Sequence, residues 1–254
     1  MSTLKPYKRT CRQLIDGTYS NSGNWLYLLH KDFVTEPQHY LRSFYILQKD
    51  FVHLLEYVEP CDQNLPTLSF RIHELLTRTC IEIEANFTAI LTENIYTKAG
   101  NLNMKDYELV NQTHFLSSYS VSLPVWKGIS GVRTPFAPWA SGTSLGWYQA
   151  YNKSKHNRHQ HFDKATFENL VDAIGALVVL LSAQFNKEDY SLNDRGLSIG
   201  YGYDNGDGME SAVGGYFRVR FPSNLPLDQR YDFDWQTLKD DPHPIDRLSY
   251  DQLK

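Results

Sequence analysis

Residues 147–181 read WYQAYNKSKHNRHQHFDKATFENLVDAIGALVVLL, and the contrast between their two halves decides the fold. The second half carries Phe167, Leu170, Val171, Ile174, Leu177, Val178 and Leu181 at intervals of three and four, the spacing of one helical face. From Ala173 to Leu181 the run is apolar almost all round, which predicts a helix at the centre of a bundle. Gly175 costs such a helix about 1 kcal/mol relative to alanine; it suits close approach by a neighbouring helix. Asp163 stands as the expected N-cap, because its carboxylate can accept from the free N–H groups of a first turn. The first half is basic and rich in imidazole. It reads as a second helix that starts near Ser144 and ends around residues 159–161.

Working outward, Leu41, Phe44, Tyr45, Gln48, Phe51, Val52, Leu55 and Val58 predict a helix over 38–58, opened by Pro37 and stopped by Pro60 and Pro66. Residues 67–95 predict the clearest long helix, with Ile72, Leu75, Leu76, Thr79, Ile83, Phe87 and Ile90 on one face. A second stripe, Arg71, Glu74, Arg78 and Glu82, alternates in sign and reads first as a solvated face. A buried network or a site wall are the other readings of that stripe. A further helix is expected over 105–119. Residues 120–144 are rich in proline and glycine yet hold Trp126, Phe136 and Trp139, whose rings require burial; they predict an ordered connection with a short strand at 121–126.

Residues 25–29 form a short aromatic and aliphatic run that fits strand or helix equally. Residues 191–209 are polar and glycine-rich. Residues 216–221 alternate and predict a strand stopped by Pro222, and Tyr231, Phe233 and Trp235 recur at period two in a tail able to dock on the helical body. The expected fold class is mainly α: one domain over 1–254, with a helical core at about 38–185. A small β or irregular layer comes from the 120–144 connection and from a C-terminal arm at about 190–254.

Hydrophobic residues make up 41% of the 254 positions, ample for a core, and the net charge of -4 provides no global attraction to nucleic acid. Any such contact needs a local basic patch. Cys11, Cys61 and Cys80 have no CxxC spacing and read as free thiols of a reducing compartment. The first residues lack an apolar signal segment, and the apolar stretch at 174–181 falls short of the roughly 20 residues a membrane span requires. A cytoplasmic chain with no membrane partner is expected, and a homodimer through an aromatic surface is compatible with the composition.

The strongest chemical cluster is NKSKH at 152–156, with Arg158 beyond it. One helical turn separates Asn152 from His156, so the amide is placed to orient the imidazole. A histidine can relay protons near neutrality, and Lys155 and Arg158 supply charge suited to a phosphodiester. In RNA the attacking group can be the ribose 2′-hydroxyl, so no metal or cofactor is called for. The bland alternative is a structural histidine in a helix seam, with the basic residues simply solvated.

His156, His159, His161 and Asp163 are the only grouping that points to a metal-dependent hydrolase, but HExxH is absent and His161 falls between faces. The acidic, glycine-bearing stretch 204–210 resembles a calcium loop in composition without its twelve-position pattern. Neither GxxxxGK[ST] nor GxSxG occurs.

YNKSKH at 151–156, followed by a mostly apolar helix, resembles the motif region of the HEPN superfamily of small α-helical domains. The resemblance covers about residues 39–185. It implies RNA or a protein as partner and, in active members, metal-independent RNA cleavage. On that resemblance His156 matches the catalytic histidine and Asn152 the polar position. Lys155 and Arg158 become phosphate contacts. Tyr151 occupies the place of the family's arginine, and a phenol cannot supply its positive fork; Arg71 or Arg78 from the long helix would have to reach inward instead. The stretch 147–181 and the tail near 231–235 also look like bacterial proteins of unknown function. A non-catalytic interaction or scaffold module is the rival expectation.

Overall fold

The computed structural model describes residues 3–19, 23–190, 206–223 and 225–254, and it is mainly α-helical with a small antiparallel sheet. The helices follow from the apolar periodicity. α1 (Pro37–Leu54) has proline in its first turn and buries Leu41, Phe44, Leu47, Phe51 and Leu54. α2 (Phe70–Glu93) starts where the Ser69 side chain accepts from the Ile72 amide, and it buries Ile72, Leu76, Ile83, Phe87 and Ile90. α3 (Met104–His114) opens with a capping box between Asn103 and Asp106. It stops earlier than the expected residue 119, because Phe115 adopts the left-handed conformation (φ 54°) and turns the chain away.

α4 (Gly146–His156) and the single-turn α5 (Arg158–His161) divide what reads in sequence as one helix. Asn157 leaves helical space (φ −142°, ψ 71°) and caps the second piece instead of continuing the first. α6 (Phe167–Phe185) is capped by Thr166, whose Oγ1 accepts from the Asn169 amide at 3.2 Å. Asp163 is not the cap: it lies in a preceding turn of 3-10 helix and pairs with Lys164 at 2.7 Å.

α6 is the central element, packed against α2, α4 and the sheet. It is long and apolar enough to cross a membrane by length and composition, but 83% of its most apolar window is buried inside the protein. Four short strands, β1 (Ser120–Ser122), β2 (Val132–Arg133), β3 (Glu210–Ser211) and β4 (Arg218–Arg220), form one sheet in the order β2-β1-β4-β3. All pairs are antiparallel, with Val121 opposite both Arg133 and Val219. The layer thus joins the middle connection to the C-terminal region. Gly175 faces this strand rather than a helix: a Cβ there would come within 2.8 Å of Val121 Cγ1.

The two ends of the chain are interlocked. Thr3 and Leu14 both bridge to Tyr231, Tyr7 bridges to Asp246, and Ile95 bridges to Ser249. The period-two aromatics close around Tyr27, with ring centroids 5.7 Å from Tyr231, 5.5 Å from Phe233 and 6.3 Å from Trp235. The run at residues 24–29 that carries Tyr27 is a 3-10 helix (Asn24–Leu29), followed at the other end by the one-turn α7 (Trp235–Leu238).

A polar chain crosses the core. Arg9 is fully buried, donating to Glu93 (2.7 Å) and Gln184 (2.8 Å), and Gln184 reaches Asn86, which in turn donates to Glu82. Of the charged stripe on α2, Glu82 therefore turns into a network, and burial raises its carboxyl above the ordinary range. Arg71 and Glu74 stay at the surface as an ion pair, matching the solvated reading for that half.

The glycine-rich region 191–209 lies outside the described residues as far as 205. The described remainder commits Asp207 to a two-point ion pair with Arg218 (2.6 and 2.7 Å), rather than leaving its oxygens free for a cation.

Candidate functional site

The break at Asn157 makes a corner, and the corner is the candidate site. His156 is the last residue of α4 and Arg158 the first of α5, so the two side chains leave a bend instead of a continuous cylinder. Phe162, just past α5, packs on the first turn of α2: its ring lies 4.8 Å from Phe70 and 5.8 Å from His73. Phe70, His156, Asn157, Arg158, His159 and Phe162 line an open concavity of about 560 Å³.

Its chemistry combines charge with aromatic surface. Phe70 is 68% exposed although it heads a core helix, and the Arg158 guanidinium sits 5.7 Å from its ring centroid. His156, Arg158 and His159 are all exposed. Among the described residues neither Lys153 nor Arg158 forms an ion pair, whereas the neighbouring Asp163 is neutralised by Lys164. Lys155 donates to the Tyr151 hydroxyl at 2.8 Å, and that hydrogen bond holds its ammonium above the usual lysine range. Among the described residues Arg158 is thus the one Lys or Arg that lines the hollow, beside the imidazoles of His156 and His159.

The residues expected from sequence separate on folding. His156 and Arg158 line the concavity, whereas the Lys155 ammonium turns back along α4 to the Tyr151 hydroxyl. Tyr151 does not reach it: the ring is fully buried against Tyr148, and burial raises its phenol above the ordinary range. Asn152 makes no hydrogen bond to His156 among the described residues, so the amide does not orient the imidazole. Arg71 and Arg78 line a different hollow between α1 and α2, where they pair with Glu74 (3.1 Å) and Asp50 (2.5 Å).

Among the described residues no three of His, Cys, Asp and Glu converge as metal ligands, and His156, His159, His161 and Asp163 do not form such a set. Phe70 and Phe162 are the members that sequence reasoning missed. Their signal was available in part: Phe70 is an aromatic beside the stripe formed by Ile72, Leu75 and Leu76, a position where burial within the core is not guaranteed. His73, stacked beneath Phe162, keeps a buried Nε2 without a hydrogen-bond partner.

No protein-family model, curated protein or solved structure matches the chain.

Proposed function

We propose that the α4–α5 corner binds single-stranded RNA, without cleaving it. The observation that carries this reading is the exposed Phe70 ring with the Arg158 guanidinium beside it, at the edge of a hollow that also holds His156 and His159. Unpaired bases stack on exposed aromatic and guanidinium planes, and cations track the backbone between them. Lys153, exposed on α4, adds positive charge further along the same helix. The HEPN resemblance of residues 151–156 points to the same class of ligand.

Binding is favoured over cleavage for two reasons. Tyr151 is withdrawn into the core, and no side chain hydrogen-bonds His156 into a fixed tautomer and pose among the described residues. Three free cysteines fit a reducing, cytoplasmic setting for such a ligand.

Fluorescence anisotropy with a labelled unstructured RNA of about ten nucleotides, within the range of single-strand sites, tests the reading. Phe70→Ala is expected to weaken binding roughly tenfold, the loss of one stacked base. Arg158→Ala is expected to weaken binding and flatten its dependence on salt. Absence of binding at low salt, or affinity unchanged in both variants, defeats the proposal. RNA cleavage that disappears in His156→Ala would defeat its non-catalytic form.

A further inference from the structure

α1 and α2 run antiparallel, and two contacts set their register. Ser43 Oγ donates to Glu82 Oε2 (2.7 Å), and Arg78 pairs with Asp50 (2.5 Å). Between these rungs that register sets Ile46 and Ile81 opposite one another, 44% and 52% exposed. Past the Arg78–Asp50 rung the helices part around a concavity of about 510 Å³, bordered by Leu54 and Leu75, with Tyr57 and Arg71 in its wall. Leu54 and Leu75 are otherwise buried, while Tyr57 is 76% exposed. One strip of surface thus carries an apolar projection at one end and a hollow with an apolar floor at the other.

The charges between those ends are self-complementary. Along α2 the strip reads Arg71, Glu74, Arg78, Ile81, at helical intervals of three and four. A two-fold axis across α2 midway between Glu74 and Arg78 lays the strip antiparallel on itself. Glu74 of each copy then meets Arg78 of the other, and Ile81 of each copy falls at the Arg71 end of the other, over the hollow. A two-fold contact must match a surface to itself, and few strips meet that condition in both shape and charge. Among the described residues of one chain Glu74 pairs with Arg71 alone, and both are more than half exposed, so the carboxylate can re-pair at little cost.

We propose that the α1–α2 face is a homodimer interface, in which Ile46 and Ile81 of each copy cover the partner's Leu54–Leu75 hollow while Glu74 and Arg78 pair across the two-fold axis. The two helix pairs then form a four-helix arrangement. Nothing that points to this interface rests on RNA binding at the α4–α5 corner.

Light scattering coupled to size exclusion, with the full chain over a concentration series, gives the test. The wild-type chain is expected at twice its 29.4 kDa monomer mass, and Ile81→Asp at the monomer mass. Glu74→Arg and Arg78→Glu should each raise the dissociation constant at least tenfold. An equimolar mixture of those two should recover a heterodimer, because both cross-axis pairs are then opposite in sign. Arg78 also pairs with Asp50 in its own chain, so Glu74→Arg, which breaks no rung between α1 and α2, is the cleaner single variant; circular dichroism confirms that each variant is folded. A wild-type chain that stays monomeric at every concentration overturns the proposal. So does a dimer indifferent to Ile81→Asp and to the charge exchange.

Discussion

His114 is held neutral by its surroundings. Its Nε2–H donates to the Arg9 carbonyl at 2.9 Å, Nδ1 lies 2.8 Å from Thr113 Oγ1, and the ring is buried. Burial drives its pKa from 6.5 to about 4. The unfolded chain therefore takes up this proton first on acidification, and the stability His114 contributes is lost as pH falls from about 6.5 towards about 4, by about 3 kcal/mol in all. Glu82, Asp172 and Glu188 are raised by burial and run the opposite way in part of that window. The useful measurement is consequently the difference between wild type and His114→Gln in denaturant unfolding at pH 7 and pH 4.5. The variant should show the shallower loss on acidification; equal losses would show that this imidazole does not carry the effect. The candidate site was partly legible at this scale: His156 and Arg158 stand out because basic residues cluster locally in the chain. Phe70 did not, because whether an aromatic at a helix start is buried depends on what packs over it, and Phe162 covers only one side.

Among the elements, the 157–166 segment shows how a start signal is decided by competition. Asp163 and Thr166 are both good N-cap types, and only one can stand at the junction where the chain enters α6. Thr166 wins because the backbone at Leu68 bridges to it and the Phe167 and Glu168 amides donate to the carbonyls of Thr67 and Leu65. Those contacts come from a distant loop and begin α6 at Phe167. Thr166→Ala is expected to cost about 1 kcal/mol, the usual value of a lost cap. Asp163→Ala should leave stability nearly unchanged, as befits an exposed pair with Lys164. Thermal or denaturant unfolding separates the two, and the reverse order would return the cap to Asp163. Helix interiors were legible throughout, since each depends on its own apolar period. Their ends were not: Asn157 and Phe115 stop α4 and α3 through backbone conformations that their residue types do not demand.

Across the whole molecule the two chain ends depend on one another. The Tyr231 hydroxyl donates to the Thr10 carbonyl at 2.7 Å and accepts from the Tyr7 amide at 3.0 Å, in a fully buried position. Tyr231→Phe removes both bonds, strands the Tyr7 N–H, and should cost about 1–3 kcal/mol. The whole cooperative transition should shift, because the N-terminal segment it anchors also carries Arg9 into the polar chain through α2 and α6. An early, separate melting of the ends, with the main transition unmoved, would show instead that they are an appendage.

What the sequence determined alone was the mainly helical class, the central place of α6 and the docking of an aromatic tail. Each follows from apolar residues repeating at a period that a single element must bury, and that requirement needs no knowledge of neighbours. The tertiary structure decided which polar and aromatic groups share a surface. Phe70 meets Arg158, Arg78 meets Asp50, and Tyr151 retreats from His156 although both belong to α4. Such meetings depend on how separate helices cross and where each stops, and residues far apart in the chain carry no local record of that geometry.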